Sequence, residues 1–192
     1  MKTDIILSGV GGQGILSIAA VIGEAALANG LYMKQSEVHG MSQRGGDVQS
    51  NLRISDAPVA SDLIPKGKAD LIISLEPMEA LRYLPYLKKD GWLVTNSIPV
   101  ENIPDYPDLD EIMNEINRLP HKIIVNADKI AKETGSARVA NIVLLGATTP
   151  FLGISYDKIA GGIKRIFERK GREIVDLNLK ALEAGRREAP SK

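Results

Sequence analysis

A glycine-rich turn near the start of the chain is the first feature whose residue types and spacing could support chemistry. Residues 9–14, Gly-Val-Gly-Gly-Gln-Gly, satisfy the pattern GxGxxG between an apolar run and a helical pattern. Glycines let backbone N–H groups approach a phosphate at a helix N-terminus, where unpaired donors and the helix dipole favour an anion. The candidate binding residues of a phosphate or coenzyme are therefore Gly9, Gly11, Gly12, Gln13 and Gly14. A tight turn that serves packing alone is the alternative.

The residues after this turn exclude one class of nucleotide enzyme. Ile15 and Leu16 stand where a nucleotide-hydrolysing P-loop needs a lysine and a serine or threonine. The charge that grips the phosphates and the hydroxyl that holds magnesium are both missing, so we exclude a P-loop NTPase. A nicotinamide dinucleotide stays open, because Glu37 lies about twenty residues past the glycines, where an acid would bind the ribose.

A polar segment over residues 37–46, Glu-Val-His-Gly-Met-Ser-Gln-Arg-Gly-Gly, is the second candidate. We predict that it forms a loop at the carboxyl end of a strand, where ligand crevices form in open α/β sheets. Arg44 can pair with a carboxylate or phosphate through two hydrogen bonds, and His39 titrates near neutral pH. Glu37, His39 and Arg44, with Gln43 beside them, are thus candidate catalytic residues. The alternative is a loop closed by a Glu37–Arg44 ion pair, with His39 as a structural donor.

The elements that position these residues alternate between strands and helices. Apolar runs predict strands over 5–7, 31–36, 48–54, 71–75, 92–95 and 122–125, and helical periodicity predicts helices over 15–28, from Pro77 to about Pro85, and over 109–118, 127–133, 138–147, 156–169 and 173–184. This alternation is typical of an α/β fold. We predict a single three-layer Rossmann-like domain over 1–185, with a mostly parallel sheet and a helical C-terminal extension, and a polar tail over 186–192.

Composition limits what the chain can do alone. Cys is absent, which excludes a thiol nucleophile, disulfides and thiolate ligation of an iron–sulfur cluster. The two histidines, His39 and His121, have no companion at metal-ligand spacing, so we expect no metal site. Lys and Arg total 24 and Asp and Glu total 24, so no bulk field would attract nucleic acid or a membrane surface. The start of the chain lacks the long apolar stretch of a signal peptide, and we expect a cytoplasmic protein.

Five segments of the chain form a recognisable set. They are Gly-Val-Gly-Gly-Gln-Gly-Ile-Leu (9–16), the polar segment 37–46, Glu-Ala-Leu-Arg-Tyr-Leu-Pro-Tyr-Leu (79–87), Ala-Asn-Ile-Val-Leu-Leu-Gly-Ala (140–147) and Asn-Leu-Lys-Ala-Leu-Glu-Ala-Gly (178–185). Together they resemble the gamma-type domain of 2-oxoacid:ferredoxin oxidoreductases, and within that family the small subunits of the enzymes that act on indolepyruvate. The segment 37–46 is the most specific of these, whereas the acidic stretch around 100–120 carries none of the resemblance.

The resemblance implies an oxidative decarboxylation in which thiamine diphosphate attacks the ketone of a 2-oxoacid, coenzyme A takes the acyl group and electrons pass through iron–sulfur clusters to ferredoxin. It implies a large partner subunit that carries thiamine diphosphate, magnesium and the clusters, with coenzyme A at the interface. The isolated chain is then expected to be inactive, with a homodimer as a further possibility. The glycine turn becomes a packing element or a site for a coenzyme phosphate. A free-standing NAD-dependent dehydrogenase and a non-catalytic structural module are the alternatives.

Overall fold

Residues 1–40, 46–101 and 103–190 are described by a computed structural model. Its strands are β1 (Lys2–Val10), β2 (Tyr32–His39), β3 (Asp47–Ser55), β4 (Ala69–Ser74), β5 (Leu87–Asn96) and β6 (Lys122–Val125). They form one six-stranded sheet in the order β2-β3-β1-β4-β5-β6. β1, β4, β5 and β6 pair in parallel, and only β3 runs against its neighbours β1 and β2. The prediction of a mostly parallel sheet is confirmed.

Helices cover both faces of this sheet. They are α1 (Ile15–Leu27), α2 (Pro77–Tyr83), α3 (Leu109–Asn117), α4 (Ala127–Thr134), α5 (Ala140–Thr148), α6 (Tyr156–Phe167) and α7 (Arg172–Arg186). Successive side chains of a strand point to opposite faces, so Ile5 and Leu7 join the core beneath α1 while Ile6 joins the core beneath α2. The helices that follow β6 share the α1 side, and α2 and α3 cover the other. The three-layer architecture is therefore confirmed.

Close packing between two of the C-terminal helices depends on glycine. A Cβ added at Gly146 of α5 would collide with the backbone carbonyl of Leu182, and one at Gly185 of α7 would collide with that of Val143. Since both collisions involve backbone atoms, neither helix can shift a side chain to relieve them. α5 and α7 consequently lie backbone against backbone, and this holds the C-terminal helices on the domain.

The structure corrects one boundary that matters for the site. The polar segment 37–46 was predicted to be a loop, but Glu37 and His39 belong to β2, which pairs residue by residue with β3 as far as His39 opposite Val48. Backbone hydrogen bonds to β3 hold these polar residues in a strand, because the side chains of an edge strand need not be apolar. At the other end of the chain, α7 extends to Arg186, and the side chain of Ala189 joins the core.

None of the helices within the described residues is long and apolar enough to cross a membrane.

Candidate functional site

The glycine turn joins β1 to α1 at the carboxyl edge of the sheet, as its sequence context predicts. Gly14 is the N-cap of α1 and has a φ of +84°, in the left-handed region that favours glycine. No side chain caps the helix there. The first N–H groups of any α-helix lack intrahelical partners, so the start of α1 offers backbone donors to an anion.

Gln13 braces the turn from within. Its side-chain Oε1 accepts a hydrogen bond from the Val10 N–H at 2.7 Å, and its Nε2 donates to the Leu75 carbonyl at 2.9 Å. The backbone N–H of Gly11 donates to the Gly46 carbonyl at 2.9 Å, which ties the turn to the start of β3. Since the oxygen and the nitrogen of its side-chain amide both bond to the backbone of this chain, Gln13 fixes the shape of the turn. The neighbouring glycines then form the surface that a ligand would contact.

Asn141 supports the turn from α5, and sequence reasoning missed it. Its Nδ2 donates to the Gly14 carbonyl at 3.1 Å, and its Oδ1 accepts from the Ile142 N–H at 2.9 Å. A Cβ added at Gly14 would lie 2.6 Å from Asn141 Nδ2, so glycine is needed for contact as well as for φ. The one available signal was a lone polar side chain at the start of an otherwise apolar helix.

A cavity of about 350 Å³ opens on the α1 side of the turn. Its lining consists of Val10, Gly11, Gly12, Gly14, Ile15, Leu16, His39 and Val48. The fold thus brings His39 to the glycine turn, although the two are far apart in sequence. Leu16, at the opening, is 47% exposed. The cavity combines backbone donors, one imidazole and an apolar rim.

Glu37 and His39 lie on the same face of β2 and contact each other through Glu37 Oε1 and His39 Nε2. The His39 side chain is 57% exposed and that of Glu37 is 19% exposed, so the carboxylate holds the imidazole from its inner side. Gln43 and Arg44 lie outside the described residues. Two of the candidate catalytic residues are therefore in contact, and of these His39 lines the glycine-turn cavity. The Glu37–Arg44 ion pair stays a prediction.

The strand order separates Glu37 from the glycine turn in a way that differs from a dinucleotide-binding fold. Glu37 faces Ser50 of β3, and Ser50 in turn faces Leu7 of β1. β3 thus lies between β1 and the strand that carries the acid, which places them two strand spacings, or about 10 Å, apart. In the dinucleotide-binding arrangement the acid follows the strand next to the glycine turn. The topology therefore disfavours the nicotinamide interpretation.

A second polar group lies on the α2 side of the same sheet edge. Glu76, which is fully buried, caps α2 by accepting the Glu79 N–H at 2.8 Å, and it also accepts a hydrogen bond from the Tyr106 hydroxyl. Burial raises the pKa of the Glu79 carboxyl, which Arg82 contacts at 2.9 Å, and burial also raises the pKa of Tyr83 to about 12. These groups form a buried support for α2 and line no part of the glycine-turn cavity.

The backbone carbonyl of Leu75 links the glycine turn to side chains on β5 and α4. Leu75 O accepts from Gln13 Nε2 at 2.9 Å and from Asn96 Nδ2 at 3.4 Å, and Asn96 Nδ2 also donates to Asp128 at 2.8 Å. Side chains from β5 and α4 thus fix the strand end on which the glycine turn rests. The turn is preorganised, because its brace is itself held by a hydrogen-bonded network.

The sequence pattern of the family described as Pyruvate ferredoxin/flavodoxin oxidoreductase matches residues 4–188. The indolepyruvate oxidoreductase subunit IorB of Archaeoglobus fulgidus is 40% identical over 100% of this chain and 97% of its own length. The 2-oxoglutarate synthase subunit KorC of Methanothermobacter marburgensis is 30% identical over 97% of this chain and 96% of its own.

Solved structures agree with these sequence similarities. The gamma subunit of a keto/oxoacid ferredoxin oxidoreductase from Geobacter sulfurreducens is 28% identical, with a TM-score of 0.72 over 97% of this chain and 98% of its own. The fold also matches part of the 2-oxoglutarate:ferredoxin oxidoreductase of Magnetococcus marinus, solved with 2-oxoglutarate, coenzyme A and succinyl-CoA bound, at 22% identity and a TM-score of 0.78. The match covers 98% of this chain and 31% of that longer one.

Proposed function

Because the chain belongs to the Pyruvate ferredoxin/flavodoxin oxidoreductase family, we propose that it is the small subunit of a thiamine-diphosphate-dependent 2-oxoacid:ferredoxin oxidoreductase. Its 40% identity to an indolepyruvate oxidoreductase subunit over full length supports indolepyruvate as the 2-oxoacid. The chain completes the active site of a larger complex, which releases carbon dioxide, forms an acyl-CoA and passes electrons to ferredoxin.

The observation that carries this proposal is an open cavity with only part of a catalytic set. Backbone donors of the glycine turn and the His39 imidazole face about 350 Å³ of space, and the exposed Leu16 side chain stands at its rim. The cavity is lined on one side by backbone and imidazole groups and on the other by apolar side chains, so a partner that covers it can make both kinds of contact. The partner subunit would close the cavity and supply the remaining groups.

The described part of this chain offers no ligand set for the redox groups of such a reaction. It has no cysteine to ligate an iron–sulfur cluster. Within 1–40, 46–101 and 103–190, no three His, Asp or Glu side chains converge as a metal ion would require. We therefore assign thiamine diphosphate, magnesium and the clusters to the large subunit, with ferredoxin reached through the complex.

The chain's own contribution is to bind and orient an anionic group. The N-terminus of α1 and the amides of Gly12 and Gly14 would hold a phosphate of coenzyme A or the carboxylate of the 2-oxoacid. Glu37 holds His39 against the cavity, where the imidazole can donate a hydrogen bond to the same anion or to water. Arg44 remains the candidate for a two-point contact with that anion. Coenzyme A at this interface is supported by the bound coenzyme A in the Magnetococcus marinus enzyme.

The test is to express the chain with and without the large subunit of the complex and to follow indolepyruvate-dependent reduction of ferredoxin. We expect turnover from the complex and none from either subunit alone. Turnover by the small chain unaided would refute the proposal. Calorimetric titration of the small chain with NAD tests the dehydrogenase alternative, which requires saturable heat.

A second measurement separates a binding role from a purely structural one. In the reconstituted complex, His39→Ala and Arg44→Ala should raise the KM for coenzyme A or for the 2-oxoacid. If both variants leave kcat and KM unchanged, the chain is a structural module and the assignment of these residues is wrong.

A further inference from the structure

The sheet ends on one side at β2, and this edge carries unpaired backbone groups. Within the part of the chain that the structure describes, β3 is the only strand that pairs with β2. The strand is eight residues long, whereas β6 at the opposite edge has four. Alternate residues of an edge strand direct their N–H and C=O groups outward, where another strand can pair with them. The β2 edge is therefore the longer pairing surface of the sheet.

Two of the devices that commonly block an edge, a proline and a β-bulge, are missing from β2. Its sequence, Tyr-Met-Lys-Gln-Ser-Glu-Val-His, contains no proline, and its register with β3 runs without a bulge. A lysine often protects an edge by standing across it. Here Lys34 Nζ donates to the Ala60 carbonyl at 3.0 Å, so this lysine is drawn onto its own chain. The strand is open to a partner.

From these observations we propose that β2 pairs antiparallel with β2 of a second copy of this chain, about a twofold axis at Gln35. A twofold axis perpendicular to a sheet preserves its faces, so only residues that share a face can oppose each other. With the axis at Gln35, Tyr32 of one copy lies opposite Val38 of the other, Lys34 lies opposite Ser36, and the two Gln35 side chains meet. The two sheets join into one of twelve strands, twice the six of each copy.

The exposed side chains select this register. Tyr32 and Val38 are 49% and 56% exposed, and they lie on the same face of β2. With the axis at Gln35, Tyr32 of each copy covers Val38 of the other copy, so both exposed side chains are buried twice in the dimer. Moving the axis to Ser36 would instead set Lys34 against Val38 and leave Tyr32 beyond the paired residues. Gln35 Nε2 donates to the Ser50 hydroxyl of its own chain at 3.1 Å. An amide has two N–H donors and an acceptor oxygen, so each Gln35 can keep this bond and also hydrogen-bond to the other Gln35. This dimer does not rest on the proposed function, because β2 pairs through its backbone edge.

The absence of cysteine makes the geometry directly testable. Residues that oppose each other across two strands have Cβ atoms about 4.5–5.5 Å apart, close to the reach of a disulfide. We expect Gln35→Cys in the full chain to form a disulfide-linked dimer under mild oxidation. The control is Asp176→Cys on α7, at a side chain that is 55% exposed, which should stay monomeric on a non-reducing gel. Sedimentation velocity of the wild-type chain should show a concentration-dependent monomer–dimer equilibrium.

A charge swap at the axis tests the same pairing without a covalent bond. Gln35→Glu places two carboxylates opposite each other and should weaken dimerisation about fivefold, since like charges that face each other across strands are destabilising. Mixing this variant with Gln35→Lys should restore dimers that contain one copy of each, and circular dichroism should show that both variants remain folded.

Three outcomes would overturn the proposal. One is a wild-type chain that stays monomeric at all concentrations. Another is a dimer in which Gln35→Cys forms no cross-link, or in which the charge swap fails to restore mixed dimers, since the chains would then meet through another face. The last is cross-linking of Gln35→Cys to the large subunit when a cysteine is introduced there, because the edge would then belong to the partner protein.

Discussion

Replacing Asn141 with alanine should separate the support of the glycine turn from general stability. Asn141 is 8% exposed, and its Nδ2 donates to the Gly14 carbonyl at 3.1 Å. The variant loses two hydrogen bonds, this one and the one that the Ile142 N–H donates to Asn141 Oδ1 at 2.9 Å, while the Gly14 carbonyl keeps its contact with the Ser17 N–H at 3.1 Å. Each bond contributes about 1 kcal/mol, and truncating the buried side chain adds up to a similar amount, so we expect a loss of about 2–3 kcal/mol.

A matched control is available on α7. Asn178 is 4% exposed, and its Nδ2 donates to the Ile174 carbonyl within the same helix at 2.7 Å. Asn178→Ala therefore removes the same kind of side chain and the same kind of hydrogen bond at a site remote from the glycine turn. Asn178→Ala removes one hydrogen bond and should cost about 1–2 kcal/mol, so its melting temperature should fall by about 2–8 °C, whereas that of Asn141→Ala should fall by about 4–12 °C, for a chain of this size.

The two variants should differ in the reconstituted complex. Asn141→Ala removes the side chain that holds the glycine turn, and we propose that this turn binds an anionic group. The kcat/KM for coenzyme A should therefore fall about tenfold, which corresponds to about 1.4 kcal/mol of lost transition-state stabilisation. Asn178→Ala should change kcat/KM less than about twofold. Steady-state kinetics with both variants at a temperature well below their melting points is the assay. Equal effects of the two substitutions on kcat/KM would refute the reasoning.

Three further predictions follow from the same structure. Leu16→Glu should change the free energy of unfolding by less than about 0.5 kcal/mol but weaken binding of the large subunit about tenfold in biolayer interferometry. The control Leu27→Glu, at the other end of α1, should leave that binding unchanged. Equal affinities of the two variants for the large subunit would contradict the placement of Leu16 at the interface. Gly14→Ala should cost about 1–3 kcal/mol in urea unfolding because alanine is strained at a φ of +84° and would collide with Asn141; an unchanged midpoint would be inconsistent with this turn. Burial raises the pKa of Tyr83 to about 12 from 10.0, so the protonated side chain stabilises the fold fully below pH 10. That stabilisation is lost as the pH rises from 10 to 12. Tyr83→Phe should make the free energy of unfolding less dependent on pH in this range, as measured by alkaline unfolding curves.

Pairing with β3 explains why Glu37 and His39 belong to a strand, whereas the sequence predicts a loop for them. Glu37 and His39 lie in a polar segment without the alternation of apolar and polar residues that is typical of a strand, so the local sequence favours a loop. They become a strand because each pairs with a residue of β3, Ser50 and Val48 respectively. Pairing between strands is a non-local property, and an edge strand leaves little trace of it in the sequence.

Local sequence was sufficient for the elements that carry the site. The apolar run of β1, the glycines after it and the small and apolar residues of α1 predict a strand, a turn and a helix, because periodicity and glycine sterics act over a few neighbouring residues. The same reasoning predicts a phosphate-type site at this turn, which stays a prediction, and the absence of cysteine means that this chain cannot ligate an iron–sulfur cluster through thiolates.

Tertiary structure decided what surrounds the turn. Gln13 is held by a carbonyl 62 residues away, and Gly14 by the Asn141 side chain 127 residues away. His39 reaches the cavity only because β3 brings the end of β2 back to the turn, and that same insertion moves Glu37 away from the position a dinucleotide would need. These contacts arise from chain topology, which selects among many locally equivalent arrangements through packing that no short stretch of sequence encodes.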